Sequence, residues 1–552
     1  MDLFDSVLSG FEVALAPRNI LWVFVGALVG MVIGVLPGIG PVPTITLLLP
    51  ITYSLPPDSA IILLAGVYYG AMYGGTITSV LLKVPGEAAS VVTVIDGYQM
   101  ARRGRAGSAL GIAAIGSFIG GTVAILGLTF GAPVLARNAL SFGPPEYTVL
   151  ALLGILMVAT LTTGSTLKAI IAAGAGLLLA TVGLDQFVGA ERFTGGILEL
   201  ADGFDFVALA MGLFGLGEIF YALDHRARQT FTALPFNNVW PSRSDIRESR
   251  WSILRGSLLG FGLGVLPGGS GTLSSMVSYT IERKVSKTPH RFGRGAIEGV
   301  AGPETANNAA ATASFIPLLT LGIPTNAVMA VILGALMLQG VAPGPNLINE
   351  KPEVFWGVID SMYLGNVLLL IMSIPLVGLF VKLVAVRESI LAPVVVAVVM
   401  LGTYTIANTV FDMWIVIAFG ILGYLMRKTG FDPGPLLLAF VLGAILENSF
   451  RQSLRMFSGD ILGFVERPIA GTLVAIIALV IAAPVVMRLL RPGAKTPLVP
   501  SDPADLAPPP PDPAQPAPAP PPAQSGGGKT APAQAGSADP EPAKAITEET
   551  DS

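Results

Sequence analysis

The sequence has no cysteine, only two histidines and few charges: 12% of its 552 residues are Asp, Glu, Lys or Arg, against roughly 25% in an ordinary soluble domain. Each shortage excludes a class of function. Without cysteine there is no disulfide framework, no iron–sulfur cluster, no Cys-based zinc site and no thiol nucleophile. A net charge of −4, with the aromatics in apolar runs, excludes a basic nucleic-acid binder. Neither His225 nor His290 lies in an apolar run, so a hydrolytic intramembrane enzyme is disfavoured and each histidine reads as a surface residue. No Gly-x-x-x-x-Gly-Lys-Ser/Thr phosphate loop occurs, which argues against direct use of ATP. What is abundant is apolar: 52% of residues are hydrophobic and the mean hydropathy is +0.71. The 65 glycines and 44 prolines are then the puzzle, because both disfavour helix interiors.

The class that remains is an all-α polytopic membrane protein. Spans need about 20 mostly apolar residues. Candidate runs cover residues 110–135, 147–163, 167–184, 206–223, 354–383, 391–410, 413–426 and 469–489. With the hairpin segments they predict roughly ten to twelve transmembrane helices. From residue 492 the composition changes to a Pro/Ala-rich stretch without apolar periodicity. It is expected to be disordered and cytoplasmic, and it holds many of the prolines. The N-terminus lacks the basic region of a cleaved signal peptide.

Loops rich in Lys and Arg tend to face the cytoplasm. Three stretches qualify: Arg102 to Arg105, His225 to Arg255, and Arg283 to Arg294. The loop 185–205 is acidic, as an outside loop often is. Arg255 and Arg283 are separated by only 27 residues. Two full crossings need about 40 residues, and one crossing would place the two arginines on opposite faces. A re-entrant hairpin is the remaining solution, its tip at Leu266-Pro267-Gly268-Gly269-Ser270-Gly271. Irregular backbone at that depth must be buried in protein or line a cavity.

The same words occur earlier. Gly34-Val35-Leu36-Pro37-Gly38 reappears 230 residues later as Gly264-Val265-Leu266-Pro267-Gly268. Val84-Pro85-Gly86-Glu87-Ala88 has a counterpart in Ile323-Pro324-Thr325-Asn326-Ala327. This reads as an internal duplication: a first membrane repeat (1–230), a basic linker (231–255), a second repeat (256–491) and the tail (492–552). Basic residues flank the second hairpin, whereas acidic or neutral ones flank the first, so the repeats are expected to be inverted. Inverted repeats with broken helices mark secondary transporters.

Polar groups in apolar helices are costly and commonly functional. Glu304, Thr305, Asn307 and Asn308 form the densest such cluster, and oxygen ligands suit a hard cation such as Na⁺. Interhelical hydrogen bonding is the alternative for the two asparagines. Broken helix ends at Pro37, Gly38 and Gly40, and at Pro267, Gly268, Ser270, Gly271 and Thr272, offer N–H groups to an anion. So do Pro324 and Thr325. Gly74, Gly75, Thr76 and Ser79 either line a site or simply pack. Lys83 is either a fixed charge facing the substrate or a snorkelling lysine. Glu447, Asn448 and Arg451 fix helix packing or cap the run 436–446.

Taken together, these motifs resemble the large membrane subunit of the tripartite tricarboxylate transporters, the TctA family. The resemblance rests on Gly34 to Pro41, Tyr73 to Ser79, Val84 to Thr93, Asp96 to Ala101, Glu298 to Ala309 and Leu319 to Pro324, in that order. It implies a permease of the bacterial cytoplasmic (inner) membrane that imports tricarboxylates or related carboxylates by alternating access. Its partners would be a small four-helix membrane subunit and an extracytoplasmic solute-binding protein. It implies no cofactor, and coupling to an ion gradient, commonly Na⁺, with H⁺ as the other candidate. A self-sufficient carrier and a channel-like pore stay open. Two positions depart from the family pattern: Lys83 stands where Asn is usual, and Thr325 where Gly is usual.

Overall fold

The computed structural model describes residues 3–36, 40–161, 165–224, 240–373, 375–383 and 388–490. Pro37 and Gly38 of the first tip, His225 and the tail from 492 lie outside the described residues. Helices start and stop at the breakers. The first half contains α1 (Leu3–Ala14), α2 (Pro17–Val35), α3 (Pro41–Tyr53), α4 (Pro57–Leu82), a 3-10 turn (Ala88–Ser90) leading into α5 (Val91–Arg102), α6 (Ala106–Ala139), α7 (Pro144–Leu161), α8 (Thr166–Ala180) and α9 (Phe206–Asp224). The second contains α10 (Arg243–Val265), α11 (Gly271–Val285), α12 (Glu298–Ala313), α13 (Phe315–Leu321), α14 (Ala327–Leu338), α15 (Pro352–Ser373), α16 (Glu388–Ala407), α17 (Val410–Lys428), α18 (Gly434–Met456) and α19 (Pro468–Leu490). Strand is confined, among the described residues, to the two-residue pair Gly183–Leu184 and Glu191–Arg192.

The protein is therefore an all-α, multi-pass membrane protein. Among the described residues, eight helices are long and apolar enough to cross a membrane: α2, α4, α6, α7, α9, α15, α17 and α18. Helix α4 is absent from the expected runs, although it is the most enclosed span in the fold. Its hydropathy equals that of α7, which the expected runs include; its tyrosines, glycines and hydroxyls face protein on all sides. The run 354–383 is interrupted: α15 stops at Ser373, and a separate short helix, Val377–Leu383, follows Pro375, whose ring cannot continue the ladder.

Both halves follow one course. Helix α2 runs out, α3 returns, and α4 runs out again beside α2. Gly26, Gly30 and Gly34 of α2 meet Gly66, Gly70 and Gly74 of α4 backbone to backbone. In the second half Gly256, Gly260 and Gly264 of α10 meet Gly302, Ala306 and Ala310 of α12. Small residues at every fourth position let helices approach closely where lipid supplies no hydrophobic drive. The hairpin returns are fixed by ion pairs. Arg255 Nη2 lies 2.6 Å from Glu282 Oε2, and Ser252 Oγ donates to the same oxygen at 2.6 Å, so the end of α11 lies beside the middle of α10. Likewise Asn19 at the start of α2 donates to Asp58 at the start of α4, at 2.8 Å.

The halves also interlock reciprocally. Asp96 of α5 accepts N–H groups of Gly295 and Ala296 at 2.7 and 2.8 Å, just ahead of α12. Gln339, following α14, donates to the carbonyl of Thr52 at the end of α3, at 2.5 Å. The described parts of the three basic stretches lie together: Arg105 pairs with Asp245, and Arg291 with Glu248. His290 is exposed there.

Candidate functional site

A cavity of about 700 Å³ is enclosed by both hairpin tips and both proline loops. Gly40 and Pro41 reach it from the first tip, and Gly268, Ser270, Gly271 and Thr272 from the second. Val84 to Ala89 and Thr325 to Val328 close it. The two regions join where Gly268 N–H donates to the carbonyl of Thr325 at 2.8 Å.

Four helical segments begin at this cavity. Gly40, at φ 62°, precedes α3 without a side-chain cap. Ser270 Oγ caps α11 by accepting from Leu273 N–H at 3.2 Å. Asn326 Oδ1 caps α14 by accepting from Met329 N–H at 3.1 Å. Glu87 Oε2 accepts from Ala89 N–H at 2.8 Å, opening the turn into α5. The first N–H groups of a helix have no intrahelical partners and carry partial positive charge. Four such ends around one space form an environment for an anion.

Beside the cavity lies a buried polar layer built from both halves. Glu304 of α12, 1% exposed, accepts from Thr76 Oγ1 of α4 at 2.7 Å and from Thr93 Oγ1 of α5. Asn307 Nδ2 donates to Glu87 at 3.3 Å. Its Oδ1 is buried without a partner and lies against Gly271 of the second tip. Asn308 donates to Ser117 of α6 at 2.7 Å and to the carbonyl of Glu304 at 3.1 Å. Thr305 turns elsewhere: its hydroxyl donates to Ala301 O at 2.6 Å, and it packs against Gly116 and Gly256. Consecutive helical residues point about 100° apart, so Thr305 faces away from Glu304, whereas Glu304, Asn307 and Asn308, at i, i+3 and i+4, share one face of α12.

The other expected residues divide. Gly74 and Gly75 pack, against Gly34 and Glu87 respectively, and Ser79 Oγ bonds Ser90 at 2.9 Å; none of these lines the cavity. Pro267 and Pro324 also lie behind the lining. Lys83 is exposed. It ends α4 in the left-handed conformation, at φ 61°, with its Nζ 6.0 Å from the centre of the Tyr98 ring. Glu447 and Arg451 are packing residues: Arg192 reaches Glu447 at 2.6 Å and Arg451 reaches Asp185 at 2.8 Å, clamping the strand pair to α18. The backbone N–H of Phe187, aided by Arg451, holds the Asp185 carboxyl below its ordinary range.

Sequence reasoning did not single out Glu218, Arg427 and Asp432, which also line the cavity. Glu218 and Arg427 form an ion pair at 2.5 Å across 209 residues. Glu218 carries a local signal, as a carboxylate inside the apolar run 206–223, whereas Arg427, just beyond the run 413–426, reads as an ordinary flanking charge. Among the described residues, no group of three or more His, Asp or Glu side chains is arranged to hold a metal ion.

Long apolar helices, discontinuous at a shared internal cavity, define a membrane transport protein. The chain belongs to the tripartite tricarboxylate transporter TctA family, whose model matches residues 20–438. It is thus a permease subunit of a transporter that works with other subunits, and not an enzyme. An uncharacterised 52.8 kDa protein of the TAR-I ttuC' 3' region of Agrobacterium vitis is 51% identical over 476 residues, which cover 86% of this chain and 95% of that protein. An uncharacterised protein of the TAR-II ttuC' 3' region of the same organism is 52% identical over 214 residues, covering 39% of this chain and 88% of that protein. No solved structure matches.

Proposed function

We propose that this chain is the large membrane subunit of an ion-coupled carrier that imports tricarboxylates or related carboxylates across the bacterial cytoplasmic membrane. A small membrane subunit and an extracytoplasmic binding protein complete the system. The convergence of four helix N-termini from both halves on one cavity supports this reading most directly. A carboxylate there replaces its water shell with N–H donors that are already in place. In this reading the chain is two inverted repeats, 1–230 and 256–491, joined by the linker 231–255 and followed by a cytoplasmic tail from 492. Movement of the two hairpins exposes the cavity to each side in turn.

Coupling to a cation follows from charge. Among the described residues, Glu87, Glu218 and Asp432 line the cavity with Arg427 as the one opposing side chain, so an anionic substrate needs a companion positive charge. The unpartnered Asn307 Oδ1 beside Glu87 is the favoured oxygen ligand for that ion, Na⁺ before H⁺. The test is uptake in proteoliposomes holding both membrane subunits, supplied with loaded binding protein. Accumulation of a labelled carboxylate should require an imposed Na⁺ gradient and saturate. Passive equilibration would point to a pore, and undiminished uptake without binding protein would point to a self-sufficient carrier.

A further inference from the structure

Among the described residues, one Lys or Arg side chain lines the cavity, Arg427 in the last turn of α17, and it is already occupied by a carboxylate of the protein itself. Its Nη2 lies 2.5 Å from Glu218 Oε2, with both side chains mostly buried, at 23% and 11% exposed. The guanidinium has a second edge. Arg427 Nε is buried and has no hydrogen-bond partner, which is costly for a group built to donate. The residues behind the pair are unusual. Met211–Leu216 within α9 is π-helical, a local form found frequently at functional sites. Phe214, from that stretch, lies 6.0 Å from the Arg427 guanidinium carbon and also lines the cavity.

We propose that Arg427 is the side chain that receives a substrate carboxylate, and that Glu218 is a built-in stand-in which that carboxylate displaces. The inference rests on the reading of the cavity as a carboxylate site. A guanidinium binds carboxylates in a fork, through paired N–H groups. Here Glu218 holds Nη2, and the buried Nε lacks a partner. An incoming carboxylate that displaces Glu218 from Nη2 can also supply the partner that Nε lacks. One carboxylate replaces another, so the arginine is never left desolvated and unpaired, the state that makes breaking a buried pair expensive. The released Glu218 already lines the cavity and turns into it. An empty carrier therefore keeps its positive group neutralised and presents no bare positive charge.

The experiment uses the full chain in nanodiscs, titrated with citrate, a panel of shorter di- and tricarboxylates, and trimethyl citrate as the uncharged control. Binding is read by thermal shift. A second readout is maleimide labelling of an Ala88→Cys variant, the chain having no cysteine of its own. Removing the competitor with Glu218→Gln should tighten carboxylate binding about ten-fold, the worth of one charge-assisted bond. Arg427→Gln should weaken it by at least about thirty-fold, and the double variant should match Arg427→Gln. If Arg427→Gln does not fold, Arg427→Lys keeps the charge without the fork, and about ten-fold weaker binding is expected. Wild-type affinity in the Arg427 variants, or unchanged or weaker binding in Glu218→Gln, overturns this proposal and leaves the carboxylate reading intact. Failure of every carboxylate to bind both the wild type and Glu218→Gln overturns both.

Discussion

The loops that follow the two central helices occupy equivalent places at the cavity, yet they differ at each step. In the first, Val84-Pro85-Gly86-Glu87, the helix start carries a carboxylate that accepts its own N–H. In the second, Ile323-Pro324-Thr325-Asn326, a neutral amide does the same work. The first loop thus neutralises its helix end from within, and the second leaves that end free to attract an external anion. A site built from similar halves is therefore polarised, with its anion-favouring side at Ser270, Asn326 and Arg427. The third positions differ for steric reasons. A side chain at Gly86 would collide with the Gly34 carbonyl and Thr78, whereas Thr325 is accommodated and its Oγ1 accepts from Asn326 at 3.3 Å.

The comparison breaks most severely where the halves are most alike, in the close-packed helix pairs. Gly260→Leu should destabilise the protein by about 3 kcal/mol, because its Cβ would enter the backbone of Ala306. Gly262→Leu, two residues away and facing open space, should leave thermal unfolding in detergent unchanged. Equal behaviour of the two would refute the packing account. The next effect tests the join between the halves. Thr93→Val strips one of the two hydroxyls that hold Glu304. Leaving a buried carboxylate oxygen unpartnered should cost about 1–3 kcal/mol, read as a lower unfolding temperature. Thr93→Ser should keep most of the stability.

The elements that were legible in the sequence are those whose physics is local. Leu-Pro-Gly breaks a helix wherever it falls, and the short spacing of Arg255 and Arg283 forces a return; the Arg255–Glu282 pair is that return closed. The central place of α4 was hidden, because hydropathy does not separate it from α7 and only the fold shows that protein surrounds it. Of the cluster at 304–308, the spacing i, i+3, i+4 put Glu304, Asn307 and Asn308 on one face of a helix and Thr305 on another, but the partners of Glu304 come from α4 and α5, which no local pattern could show. Arg427 was hidden because it is an ordinary charged residue at a helix end, whereas Glu218, a carboxylate within the run 206–223, was marked by its setting but had no visible partner. Only the tertiary fold makes them a pair.

The smallest expected effects concern the residues that end the two central helices. Lys83 and Gly322 both sit in the left-handed region, at φ 61° and 68°. The physical demands on them are unequal. A Cβ on Gly322 would lie 2.8 Å from the Pro343 carbonyl. Gly322→Ala therefore adds a steric conflict to the left-handed penalty and should cost about 1–2 kcal/mol. Lys83 bears the conformational penalty alone, since its side chain is exposed. Lys83→Gly should stabilise the protein by about 0.5 kcal/mol, the left-handed cost of roughly 1–2 kcal/mol less the extra chain entropy of glycine, roughly 0.5–1 kcal/mol. Lys83→Asn should behave similarly, because asparagine tolerates this conformation. The usual Asn at this position of the family is then a backbone requirement rather than an ion ligand. Sodium dependence of uptake in reconstituted vesicles decides the matter. If it and the substrate affinity are unchanged in both variants while stability rises, Lys83 is a helix stop; a shift in either would return it to the transport mechanism and make the two helix ends functionally different.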